Sequence, residues 1–174
     1  VNPYRLGILA STDTHNATPG AVAEDRYAGH LGNLEDTPQE RLRPRGLGGN
    51  QGIRDNPGGL TAVWAVENSR DAIFEAFSRR ETYATSGPRM VVRFFGGWGF
   101  PESLCDAPGF AEIGYEQGVA MGGDLPPRPR QTGAPVFAVM ALREQGLGDG
   151  RGAPLQRIQM IKGWIDRDQG PMQK

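Results

Sequence analysis

Clusters of glycine and proline cut this chain into short patterned segments: "GLGGNQG" at Gly46–Gly52, "GDLPPRPR" at Gly123–Arg130 and "GLGDGRGAP" at Gly146–Pro154. Glycine frees the backbone and proline removes a hydrogen-bond donor, so neither helix nor strand runs through such a cluster. The 26 glycines and 14 prolines among 174 residues lie between segments with clear apolar pattern. That arrangement reads as a loop-rich globular protein and not as a disordered one.

The length suffices for one domain with a core of its own or for two small lobes. A net charge of -1 at pH 7 leaves no global field to favour nucleic acid or an anionic membrane. No apolar run approaches the roughly 20 residues needed to span a bilayer. The sequence opens at Val1 and runs at once into strand-like residues, which reads as a processed product or an internal piece, so no targeting segment speaks to compartment. A single cysteine, Cys105, makes no internal disulfide; it sits in a loop-like region with no histidine beside it and reads as an inert thiol.

"YRLGILA", Tyr4–Ala10, reads as a short buried strand followed by turn residues, and Thr18-Pro19 offers a helix start. Residues 29–59 read mostly as loop, with one short helix at "TPQER", where Thr37 and Glu40 have capping-box spacing. "LTAVWAV", Leu60–Val66, reads as a second buried strand. Asn68 then caps a helix over "SRDAIFEAFSRRE", with Asp71 in its first turn and an apolar stripe of Ile73, Phe74 and Phe77. Strand, long loop, strand and helix make an α/β order. Beyond Gly87-Pro88 the pattern becomes all-β: "RMVVRFFG", "GVAM", "PVFAVMAL" and "LQRIQMIKGWI" read as strands, as in part of a sandwich. These readings divide the chain into residues 1–87 and residues 88–174.

The candidate chemistry begins where the first strand ends. Asp13 and His15 stand two residues apart, so in extended chain they project to one face about 6.5–7 Å apart. Carboxylate and imidazole are both ligands for zinc, manganese or iron. The plainer reading is that Asp13 caps a turn and His15 donates a hydrogen bond. His30 is a candidate substrate contact or a solvated loop histidine. Arg79, Arg80 and Arg89 are candidate phosphate ligands, because a guanidinium matches two phosphate oxygens; Arg79 and Arg80 equally suit a charged helix end. Trp64, Phe94, Phe95, Trp98 and Trp164 read as core or interface residues. "GLGGNQG" has neither dinucleotide-fingerprint nor P-loop spacing, and no Gly-x-Ser-x-Gly elbow occurs.

Two segments also carry a resemblance. "GILASTDTHN" resembles the last metal-binding motif of the PHP superfamily of metal-dependent phosphoesterases, an apolar strand ending in Ser-Asp-x-His. "NSRDAIFEAFSRRETYATSGPR" is similar to the barrel-closing helix and Tyr-x-Thr-x-Gly-Pro turn of PHP-like proteins that carry a C-terminal β-sandwich, and "MGGDL" and "LQRIQMIKGW" resemble that sandwich. The chain as a whole looks like the C-terminal part of an uncharacterised bacterial family, a domain of unknown function, grouped with PHP proteins. The resemblance implies the C-terminal remnant of a PHP-like (β/α) barrel followed by a β-sandwich-like lobe. It implies a hydrolase of phosphoesters using two or three divalent metal ions (Zn, Mn or Fe), with Asp13 and His15 as ligands; His30 and Arg80, from the residue reading above, are the substrate-binding candidates. A periplasmic or secreted location is slightly favoured by the same resemblance. The chain departs from the pattern in one respect: His15 and His30 are its two histidines, and no His-x-His motif is present. The remaining ligands are therefore expected outside these residues, and the chain by itself is expected to be catalytically silent. It is further expected to self-associate or to stay bound to a missing N-terminal part. The alternative is a non-catalytic carbohydrate- or partner-binding surface protein with a degenerate barrel.

Overall fold

The computed structural model describes residues 5–13, 37, 39, 59–130, 133–146, 152–166, 168 and 170–173. Its architecture is mixed α and β with substantial β content, arranged as three antiparallel sheets, none of which closes into a barrel among the described residues. Of the helix expected at "TPQER", Thr37 and Gln39 are described, and Gln39 is helical.

The first sheet is a pair. Strand β1 (Leu60–Val63) lies antiparallel to β2 (Thr82–Thr85), with Leu60 opposite Thr85 and Val63 opposite Thr82. Helix α1 (Arg70–Ser78) joins them, so this strand–helix–strand order is not a parallel crossover. Ser69, one residue beyond the expected cap, accepts from the Ala72 N–H through its hydroxyl at 3.3 Å, and Asp71 adds negative charge to the first turn. The helix ends as the Arg79 N–H reaches the Glu75 carbonyl at 2.9 Å, and Arg80, at φ 60°, turns the chain into β2.

α1 packs by its small residues. Ala72 and Ala76 are buried, and α1 lies against β1. The stripe of Ile73, Phe74 and Phe77 was expected to be the packing face; instead Phe74 is 70% exposed and Phe77 41%. Alanines let the helix approach the sheet closely, and that approach rotates the aromatic side chains outward.

The leading segment corrects a second expectation. Residues 5–13 join no sheet among the described residues, and Leu6, Ile8 and Leu9 face solvent. Threonine hydroxyls hold the segment where strand backbone was expected to. Thr61 Oγ1 accepts from the Ala10 N–H at 3.0 Å and donates to the Ala10 carbonyl at 2.7 Å, while Thr82 Oγ1 donates to the Ile8 carbonyl at 2.9 Å. Thr61 pairs with Ala84 and Thr82 with Val63, so both hydroxyls rise from one face of the hairpin. The Gly59 N–H closes the set on the Ser11 carbonyl at 2.9 Å.

The second sheet has the order β4–β3–β5. Strand β3 (Val91–Gly97) is central, between β4 (Gly118–Ala120) and β5 (Val136–Leu142). A 3-10 turn at Glu102–Asp106 and helix α2 (Phe110–Gln117) cover one face. The all-β expectation for residues 88–174 is thereby corrected. Phe95, Leu104, Phe110 and Ala138 form the buried core, with Phe100, Ile113, Ala120 and Met140 packed against it. Phe95 takes Phe110 and Tyr115 edge-on, at centroid distances of 5.6 Å and 5.0 Å. Cys105 lies exposed in the 3-10 turn.

The third sheet pairs β6 (Gly163–Asp166) with β7 (Gly170–Gln173). The strand expected over "LQRIQMIKGWI" is formed only in its last part. Residues 155–162 belong to no sheet among the described residues, with Leu155, Ile158, Met160 and Ile161 exposed. Among the described residues no helix is long and apolar enough to cross a membrane.

Candidate functional site

Asp13 ends the segment that Thr61 and Thr82 hold. It is exposed, and its φ of 51° lies in the left-handed region that aspartate tolerates better than most residues. The backbone therefore turns at the carboxylate, where that segment stops. His15 and His30 lie outside the described residues. Among the described residues no group of three or more His, Cys, Asp or Glu side chains is placed to hold a metal ion.

Arg80 comes close to the same segment. An ideal β-carbon on Gly7 would sit 3.5 Å from the Arg80 Cβ and Cγ, and the Arg80 Nε donates to the Gly122 carbonyl at 2.9 Å. Arg5, on that segment, pairs with Asp124 at 2.8 Å. The turn at Gly122–Asp124 thus fastens both Arg80 and the segment that carries Asp13. Arg89 makes a different contact: its backbone N–H donates to Glu144 Oε1 at 3.0 Å.

A second cluster, which the sequence pattern did not single out, lies where the first hairpin meets the three-stranded sheet. Glu81 is 6% exposed. It accepts from Arg79 at 3.4 Å (Nε) and 3.3 Å (Nη2), and from the Tyr115 hydroxyl through a short hydrogen bond to Oε1. Arg93 Nη1 donates to the Tyr115 oxygen at 3.2 Å, and the Arg93 guanidinium lies 3.5 Å over the Trp64 ring. Trp64 Nε1 donates to the Val92 carbonyl at 2.9 Å. Burial first, then the hydrogen bond and negative charge of Glu81, hold the Tyr115 phenol above its ordinary pKa of 10.0, against a smaller lowering by Arg93. Tyr115 is thus a neutral donor at physiological pH.

This cluster is a joint and not a receptacle. Trp64, Glu81, Arg93, Phe94, Phe95, Tyr115, Ala120 and Met121 line a cleft whose walls leave no room for a water molecule. Its polar atoms answer one another, as buried polar groups must. It links residues on both sides of Ser86–Pro88. No short-range pattern in the sequence marks it, because its members come from separate elements. Of the remaining aromatic residues, Phe94 and Trp98 make structural contacts, whereas Trp164, expected as a core or interface residue, is 38% exposed. Phe94 stacks on Phe137 at 5.6 Å, Trp98 Nε1 donates to the Pro126 carbonyl at 3.1 Å, and Lys162 lies 5.3 Å from the Trp164 ring centroid.

No curated protein matches the chain, and no solved structure matches it. Residues 1–174 match the family described as "Protein of unknown function (DUF3604)" from end to end, and the chain belongs to that family.

Proposed function

We propose that this chain is part of a metal-dependent hydrolase of phosphoesters, in which Asp13 and His15 are two of the metal ligands. The observation that carries the reading is the apolar segment held by Thr61 and Thr82, which delivers an exposed Asp13 carboxylate at its end and passes beside Arg80. The Ser-Asp-x-His resemblance to PHP phosphoesterases supports it. On this reading residues 1–87, whose described strands pair antiparallel and close no barrel among the described residues, are the last part of a (β/α) barrel completed by other residues, and residues 88–174 a sandwich-like lobe. Two or three divalent ions (Zn, Mn or Fe) would be shared with ligands from outside these residues. A catalytic metal normally takes three protein ligands. The described donor set does not by itself fit a metal.

The test is metal content together with hydrolysis of a generic aryl phosphoester by the full-length protein. Asp13→Ala and His15→Ala should each lower both. Arg80→Ala should raise KM and leave the metal content in place, as expected of a guanidinium that binds phosphate. Unchanged metal in both ligand variants refutes the reading.

A second reading is favoured by a different observation. α1 turns Phe74 and Phe77 to solvent, the kind of surface that binds a carbohydrate or a protein partner. Full-length protein that is metal-free and hydrolytically inactive would support this non-catalytic role.

A further inference from the structure

β5 is an outer strand of its sheet among the described residues, and its sequence, VFAVMAL, carries no charge and no proline. Val136, Phe137 and Leu142 are exposed on it. An outer strand without charges, proline or a bulge invites pairing with another strand, and native proteins cover such edges. The chain itself returns to this place. An ideal β-carbon on Gly152 would lie 1.8 Å from the Glu144 carbonyl oxygen and 3.0 Å from the Gly146 nitrogen, so the two backbones touch just past the end of β5. The residues that follow, 155–161 (LQRIQMI), are exposed and belong to no sheet among the described residues.

We infer that residues 155–161 are a strap that closes on the open edge of β5 as a fourth, antiparallel strand. Antiparallel pairing continued from the approach of Gly152 to Glu144 gives the proposed register, in which each step forward along the strap is a step back along β5. Ile158 then comes opposite Ala138, and Met160 opposite Val136. Ala138 pairs with Phe95 on the core face, so Ile158 and Met160 extend that apolar face by one strand. Gln156 falls on the same side, opposite Met140, and Leu155, Arg157, Gln159 and Ile161 fall on the other face, with Arg157 opposite Val139 and Gln159 opposite Phe137. A slip of one residue would exchange the two faces and take Ile158 and Met160 away from the core side. In the closed form the edge is capped by the chain's own residues and is shut to strand addition by another molecule.

The test uses the 174-residue chain with Cys105→Ser, which removes the exposed native thiol. Val136→Cys with Met160→Cys places two thiols directly across the predicted pair, where β-carbons stand about 4.5–5.5 Å apart and a disulfide forms with small adjustment. Oxidation should give a disulfide within one chain, reversible by reductant. The control, Val136→Cys with Ile161→Cys, puts the thiols on opposite faces and should form none. In the unsubstituted chain, hydrogen exchange of residues 155–161 should be slowed at least about tenfold relative to unstructured peptide. A disulfide formed only between two chains would assign the edge to a second copy and overturn the inference. Absence of the disulfide together with fast exchange would overturn it as well.

Discussion

Gly114→Ala sets helix propensity against packing, and the structure decides which wins. Alanine is the better helix former by about 0.8–1.0 kcal/mol, and Gly114 is the fifth residue of α2, so propensity alone makes the variant more stable. The new β-carbon, however, would meet the Phe95 ring at 2.5 Å (Cδ2), 2.6 Å (Cε2) and 2.7 Å (Cγ). Carbon atoms pack comfortably at about 3.5–4.0 Å, so three contacts fall short by roughly 1 Å. Phe95 is 1% exposed and is held edge-on by Phe110 and Tyr115, so its ring has nowhere to swing. Overpacking of this kind costs about 1–3 kcal/mol, and a buried, trapped ring places the cost at the upper end. The net loss is then about 2 kcal/mol. For a chain of this length that corresponds to a fall in Tm of roughly 4–8 °C. Thermal unfolding followed by circular dichroism would measure it, with urea titration to confirm an unchanged slope. Shortening the ring should release the conflict, so the double variant Gly114→Ala with Phe95→Leu should lose less than the sum of the two single changes. A coupling of about 1–2 kcal/mol is expected from that cycle. A Gly114→Ala variant as stable as the parent, or more so, would refute the packing argument.

The joint at Glu81 predicts a dependence on alkaline pH. The Tyr115 phenol is held above its ordinary value of 10.0, so its contribution is fully present below that value and is lost as pH rises through the folded-state value. Urea midpoints should therefore fall above about pH 10, and Tyr115→Phe should flatten that fall; an equal slope in both proteins would remove Tyr115 as its source. Gly122→Ala tests the turn that fastens Arg80. Gly122 has φ +82°, and a β-carbon there would lie 2.1 Å from the Arg80 carbonyl oxygen, so left-handed strain and a clash with backbone together should cost at least about 2 kcal/mol by denaturant titration. An unchanged midpoint would show that the turn opens freely.

Local pattern was informative wherever one short-range rule governed the outcome. The alternation and β-branching of "RMVVRFFG" and "PVFAVMAL" mark β3 and β5, and both strands form within a residue or two of the expected bounds. The polar residues around "ENSRD" mark the start of α1, because a capping hydroxyl and an acidic first turn act within a few residues. The Asp-x-His spacing and its PHP resemblance also came from sequence alone, and they support the proposed function. Tertiary contacts decided the rest. α2 was hidden by glycines at 109, 114 and 118, which argue against a helix until the Phe95 ring takes the space a β-carbon would need. The aromatic stripe of α1 pointed to the wrong face, since Ala72 and Ala76 gain more from close approach to β1 than pattern alone reveals. The apolar run at residues 6–10 has the composition of a strand, but Thr61 and Thr82, more than fifty residues away, satisfy its backbone groups with hydroxyls and leave it outside the sheet. The Glu81–Tyr115–Arg93–Trp64 joint has no local signature for the same reason. Its members stand on β1, β2, β3 and α2 or beside them, and a buried carboxylate becomes tolerable only once distant chain segments bring its donors within hydrogen-bond reach.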